Sequence, residues 1–159
     1  DDPDNQIIGT IVLDPTDERL MIYSVDQDTA PQNTLTAIDA IIDPLISAPG
    51  DGLPEPVVGT RYLLTESTGN WNNVANPTAW VGVGGQPLVA EANDIIEWNG
   101  TRWRVAFVSA DETTIQYVTN ITTGTQYEWV PPPDGSSEPG YWMKSYQGVY
   151  PGGTWTLVL

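Results

Sequence analysis

The clearest alternation of apolar and polar positions runs from Ile95 to Phe107, Ile-Ile-Glu-Trp-Asn-Gly-Thr-Arg-Trp-Arg-Val-Ala-Phe. Side chains point to opposite sides of a strand in turn. Ile96 and Trp98 therefore share one face of a first strand, and Thr101, Trp103, Val105 and Phe107 one face of a second. Asn99-Gly100 between them is the dipeptide that most readily supplies the two positive φ angles of a type I′ turn. The stretch predicts a β-hairpin, with Glu97, Arg102 and Arg104 as its charged decoration.

The same alternation recurs along the chain. Residues 7–13 and 18–25 read as two strands joined by the turn chemistry of Asp14-Pro15-Thr16-Asp17. After a polar loop, Leu35, Ile38, Ile42 and Leu45 change the spacing to 3–4 residues. That predicts one short helix, capped by Asn33 or Thr34 and ended by Pro44. Ala48 to Pro56 is rich in proline and glycine and reads as an extended linker. It divides an acidic N-terminal arm, 1–56, from a domain at 57–159 that holds every tryptophan. Within that domain the strand candidates are 61–65, 78–83, 94–98, 102–108, 114–119, 126–130, 141–146 and 154–159. Short strands between loops bearing Gly, Pro, Asn and Ser predict a mainly β chain: a compact antiparallel β-sandwich or small barrel built of hairpins.

An internal echo supports the hairpin reading. Glu97-Trp98, a turn with Gly100, then Trp103, Arg104 and Phe107 is followed by Glu128-Trp129, a longer turn through Gly140, then Trp142, Lys144 and Tyr146. In both, an acid and a base stand where cross-strand partners belong.

Composition narrows the function. The net charge is −16 with five basic residues, so the phosphate backbone of nucleic acid and anionic lipid surfaces are repelled. Neither cysteine nor histidine occurs, which removes disulfides, thiolate metal sites and the commonest general base. No apolar run reaches membrane-spanning length. The start at Asp1 suggests a processed form or a piece of a longer protein.

Candidate chemistry is sparse. The acidic runs at 1–5, 14–18 and 26–28 lack the ligand order of a calcium loop and read as solvated loops. Glu97 and Glu128 occupy corresponding places in the two hairpins and raise the idea of a glycosidase pair; partners for nearby Arg and Lys are the simpler reading. Gly82-Val83-Gly84-Gly85 lacks the Lys-Ser/Thr of a phosphate loop and reads as a turn. Seven Trp and seven Tyr fit either a core or a sugar-stacking platform, and the core is the ordinary use of such rings. Trp71 and Trp80 border Asn- and Pro-rich loops, which makes them the candidate glycan or partner contacts.

From Leu35 onward the layout resembles modules in structural proteins of tailed bacteriophages, including tail-fibre, baseplate and other virion proteins of contractile-tailed marine phages. The residues that carry it are Leu35-x-x-Ile38-Asp39-Ala40-Ile41-Ile42, Gly59-Thr60-Arg61-Tyr62-Leu63-Leu64, the acid–Trp–x–Gly–x–x–Trp hairpin at 97–103, Tyr127-Glu128-Trp129 and Tyr141-Trp142. The insertion at 131–140 and the hairpin at 7–25 depart from it. The resemblance implies a non-enzymatic building block of the virion, with other virion subunits and copies of itself as partners. It carries no catalytic residues, metal ligands or cofactor. The alternative is a carbohydrate-binding domain that recognises a host surface glycan.

Overall fold

The computed structural model describes residues 7–146 and 148–151. The chain forms two compact units, Asp1–Gln32 with Lys144–Leu159, and Asn33–Met143. This division differs from the expected one at residue 56. The chain is mainly β, and among the described residues no sheet closes on itself, so the barrel alternative falls.

The first unit opens with a hairpin. Strand β1 (Gly9–Leu13) pairs antiparallel with β2 (Leu20–Val25) in an unbroken register from Gly9↔Val25 to Leu13↔Met21. The Asp14 carboxylate organises the connection. Its Oδ1 accepts hydrogen bonds from the Thr16 amide at 2.7 Å, the Thr16 hydroxyl at 2.6 Å and the Asp17 amide at 3.2 Å. Arg19 then forks onto Asp17 at 2.9 and 2.7 Å.

The second unit is built on a four-stranded sheet. The expected helix at its start does not form. Residues 40–42 make strand β3 (Ala40–Ile42), which pairs parallel with β6 (Arg61–Leu64), and Ile38 bridges to Asn120. The physical reason lies in the residues themselves. Ile and Thr are crowded in a helix and at ease on a pleated surface, and Pro44 removes a donor that a last helical turn needs. The stripe that suggested a helix is split: Leu35 and Ile38 pack on one cluster of apolar side chains and Ile42 on another.

The expected linker is folded as well. Strands β4 (Ala48–Pro49) and β5 (Gly52–Leu53) pair in parallel around Gly50 and Gly52 at φ 77° and 82°, and Ala48 is fully buried. The expected strand 78–83 is a loop, in which Val81 bridges Pro87 about a glycine turn with Gly84 and Gly85 at positive φ.

Strand β7 (Ile95–Trp98) and β8 (Trp103–Phe107) complete the sheet in the order β3-β6-β7-β8. The hairpin between them corrects two expectations. Trp98 and Trp103 are directly paired, so the loop is Asn99 to Arg102 rather than a two-residue type I′ turn, and only Gly100 has positive φ. The Asn99 side chain closes it, its Oδ1 accepting from the amides of Thr101 and Arg102. The second correction concerns faces. Ile96 pairs with Val105 but Ile95 with Phe107. Ala106 is thus an extra residue, a β-bulge that turns Phe107 to the opposite side from Trp103 and Val105.

Alternation therefore gives the sheet two apolar faces. Ile42, Tyr62, Leu64, Ile96 and Trp103 pack with Trp80, Leu88 and Ala90 from the long 65–93 connection. Leu63, Ile95 and Phe107 pack with Ile38, Val118, Trp129 and Trp142. The last three belong to a second sheet, β9 (Gln116–Asn120), β10 (Thr125–Val130) and β11 (Tyr141–Lys144), in the order β11-β10-β9. Strand β12 (Gly148–Pro151) pairs antiparallel with β2, which gives the first sheet the order β1-β2-β12. The expected strand 154–159 lies outside the described residues.

Candidate interaction surfaces

The tryptophans sort by what their indole nitrogens reach. Trp80 is 3% exposed, stands edge-on to Tyr62 and Trp103, and donates its Nε1–H to the Pro44 carbonyl at 2.7 Å. Trp129 donates to the Glu112 carbonyl at 3.2 Å and Trp142 to the Asn93 carbonyl at 3.0 Å, while both rings pack on Phe107. Each ring thus fills core and fastens a loop by its one polar atom, the use an amphipathic ring suits. Trp80 leaves the set of candidate contacts for this reason: a ligand would reach it only by opening the core. Trp155 lies outside the described residues.

Trp71 is different. It is 37% exposed, flanked by exposed Asn70 and Asn72, and its φ is 52°. A bulky residue in the left-handed region is strained by the approach of Cβ to its own backbone. Its loop is held from below by Asn73, whose place in the fold the sequence reading missed. The buried Asn73 amide donates to the Pro44 carbonyl at 2.8 Å and to the Ser47 carbonyl. Its Oδ1 accepts from the amides of Ala75 at 2.9 Å and Asn76 at 2.7 Å. An Asn in an Asn-rich loop carries no sequence signal that it alone is buried.

The charged residues mostly serve the frame. Glu97 sits between two cross-strand neighbours, Arg61 on β6 and Arg104 on β8. It bonds Arg104 at 2.6 Å and stands 3.9 Å from the Arg61 Nε, which is buried without a hydrogen bond. Burial pushes the Arg61 guanidinium below its ordinary pKa, and Glu97 partly opposes that. Glu128 pairs in register with Tyr117, and among the described residues it has no ion pair. Burial pushes its carboxyl above the usual range. Tyr127 and Trp129 on either side of it pack on the shared cluster, so alternation turns Glu128 to the outer face of its sheet. Glu97 shares the face of Ile95, which points into that cluster. The two carboxylates do not converge across a cleft, as a glycosidase pair requires. Among the described residues no three acidic side chains gather as they would around a metal ion.

The apolar residues of β1 and Ile8 before it lie outside, while those of β2 are half-buried or buried. Ile8, Ile11, Val12 and Leu13 are 56%, 58%, 54% and 66% exposed. Ile11 and Leu13 occupy one face of β1, and Ile8 and Val12 the other. Isolated exposed aliphatics are ordinary; these four stand on and beside one strand, two to each face. The sequence placed a strand here but gave no sign that both of its faces are open.

Compared with known protein families, curated proteins and solved structures, the chain has no significant match.

Proposed function

We propose that this chain is a non-enzymatic structural module that makes subunit–subunit contacts in an assembled particle. A bacteriophage virion is the setting that the resemblance of the 35–142 layout implies, in a tail, fibre, baseplate or capsid decoration. The observation that carries the reading is the exposed run Ile8, Ile11, Val12 and Leu13. An uncharged apolar strand on a chain of net charge −16 is a place where an otherwise self-repelling surface tolerates a neighbour. The second unit suits a rigid part. We read its two sheets, meeting across Trp129, Trp142 and Phe107, as a β-sandwich whose aromatic rings are spent on packing.

The test is a mass-spectrometric inventory of the particle. The chain is expected in a fixed copy number beside capsid or tail subunits. Recovery only as free chain, outside any particle, defeats the proposal.

One observation favours a second reading, recognition of a host surface glycan. Strain in a side chain's backbone collects where geometry serves a ligand, and Trp71 combines φ 52° with exposure between two asparagines. Flat indole faces stack on sugar rings, and the amides suit their hydroxyls. A glycan array tests it: specific binding that Trp71→Ala abolishes, with the unfolding midpoint unchanged, supports recognition. Binding that ignores this change removes it.

A further inference from the structure

We propose that β1 is a self-pairing edge: two copies of this chain join β1 to β1 antiparallel about a twofold axis through Ile11. The proposal rests on the assembly reading above and names the partner as a second copy. In an antiparallel ladder, directly opposed residues alternate between pairs that exchange hydrogen bonds and pairs that do not. The Asp26 amide donates to the Ile8 carbonyl and the Asp14 amide to the Leu20 carbonyl. With the register Gly9↔Val25 to Leu13↔Met21, Thr10 and Val12 bond inward to β2. Gly9, Ile11 and Leu13 then direct their amides and carbonyls outward. Among the described residues no strand pairs with that edge.

Three features select a second copy as the occupant. The outward groups are symmetric about Ile11, so a twofold places Ile11 opposite Ile11 and Gly9 opposite Leu13, with about six backbone hydrogen bonds in all. The missing side chain at Gly9 also helps: the Tyr23 ring lies over that glycine, where a Cβ would meet it at 2.6 Å. Leu13 of the second copy would arrive on the same face, against that ring, as an aliphatic–aromatic cross-strand pair.

The third feature is charge. Residues 7–13 carry none, so two copies of a chain with net charge −16 can join along this strand without burying like charges in the ladder itself. The usual guards of a free edge, a lysine, a proline or a bulge, are absent from β1.

The chain has no cysteine, so single substitutions report the joint directly. Thr10→Cys, Ile11→Cys and Val12→Cys are oxidised mildly in the full chain. The Ile11→Cys variant is expected to form a disulfide-linked dimer, because paired Cα atoms about 5.5 Å apart suit a disulfide. The other two, which face each other rather than themselves, are expected to link far less. Ile11→Pro removes only an outward donor. Light scattering is expected to show the dimer mass of the native chain halved in this variant, with amide-exchange protection at Val12 and Ser24 retained.

A native chain that stays monomeric, or a dimer that survives Ile11→Pro and never links at residue 11, overturns the self-pairing edge. In the second case, or if the chain still sits in a particle in fixed copy number, the assembly reading stands without it. A free monomer absent from every particle removes both.

Discussion

Trp71 and Trp80 are the same residue type beside similar loops, yet the structure gives them opposite roles, and replacing each by phenylalanine separates them. In Trp80→Phe the Nε1–H bond to Pro44 is lost. The carbonyl keeps its bond from Asn73, so the loss is that of one ordinary hydrogen bond, about 1 kcal/mol. The smaller ring leaves roughly 40 Å³ unfilled between Tyr62, Trp103 and Leu88, which costs about 1 kcal/mol at the usual cavity coefficient. The apolar area no longer buried adds about 1 kcal/mol. The sum is about 3 kcal/mol. With a urea dependence of about 1–1.5 kcal/mol per molar for a domain of this size, the midpoint falls by about 2–3 M. Trp71→Phe keeps the exposed ring and the strained backbone, and its effect stays within about 0.5 kcal/mol. Urea unfolding followed by far-ultraviolet circular dichroism measures both. Equal midpoints for Trp80→Phe and the native chain, or a larger fall for Trp71→Phe, refute the assignment of Trp80 to the core.

The remaining predictions concern the devices that hold loops in place. Asn73→Ala takes the partner from the Ser47 carbonyl and from the Ala75 and Asn76 amides at once, while the Pro44 carbonyl keeps its bond from Trp80, and is expected to destabilise the second unit by about 3 kcal/mol; a chemical-denaturation midpoint unchanged from native counts against the amide as a staple. Gly140→Ala drives a Cβ into the Trp129 ring and toward the Val130 carbonyl, a clash expected to cost about 1–3 kcal/mol and visible as a lowered melting temperature. The Asp14 carboxyl is held below its ordinary pKa, first by the Thr16 hydroxyl and then by the Thr16 amide. Its folded-state pKa is thus the lower one, so its support of the β1–β2 turn is full above the ordinary aspartate range and is lost as pH falls through the folded value. Thr16→Ala is expected to raise the Asp14 titration midpoint in a carboxyl-detected NMR titration; an unmoved midpoint would show that the hydroxyl is not the cause.

Local pattern determined much of this protein. Period-two alternation located β1, β2, β6 and the strands from Ile95 to Lys144; in all of them but β1 at least one face packs on a neighbour, and that constraint is written in every second residue. Turn chemistry located the Asp14–Asp17 connection for the same local reason. The stretch 35–45 defeated pattern reading since its isoleucines satisfy a helical spacing and a strand spacing alike. Only the free edge of β6, brought there by the rest of the fold, chose between them.

Tertiary structure alone decided the rest. The bulge at Ala106 depends on a register with β7, and without that register Phe107 cannot be assigned to the opposite core. Asn73 and Trp80 meet at the Pro44 carbonyl across 29 and 36 residues of chain, a distance no local motif spans. Burial of Trp80 and exposure of Trp71 follow from which side of the 65–93 connection faces the sheet. The openness of β1 is of the same kind. A strand's sequence specifies its two faces, but whether anything covers them is a property of the neighbours it finds.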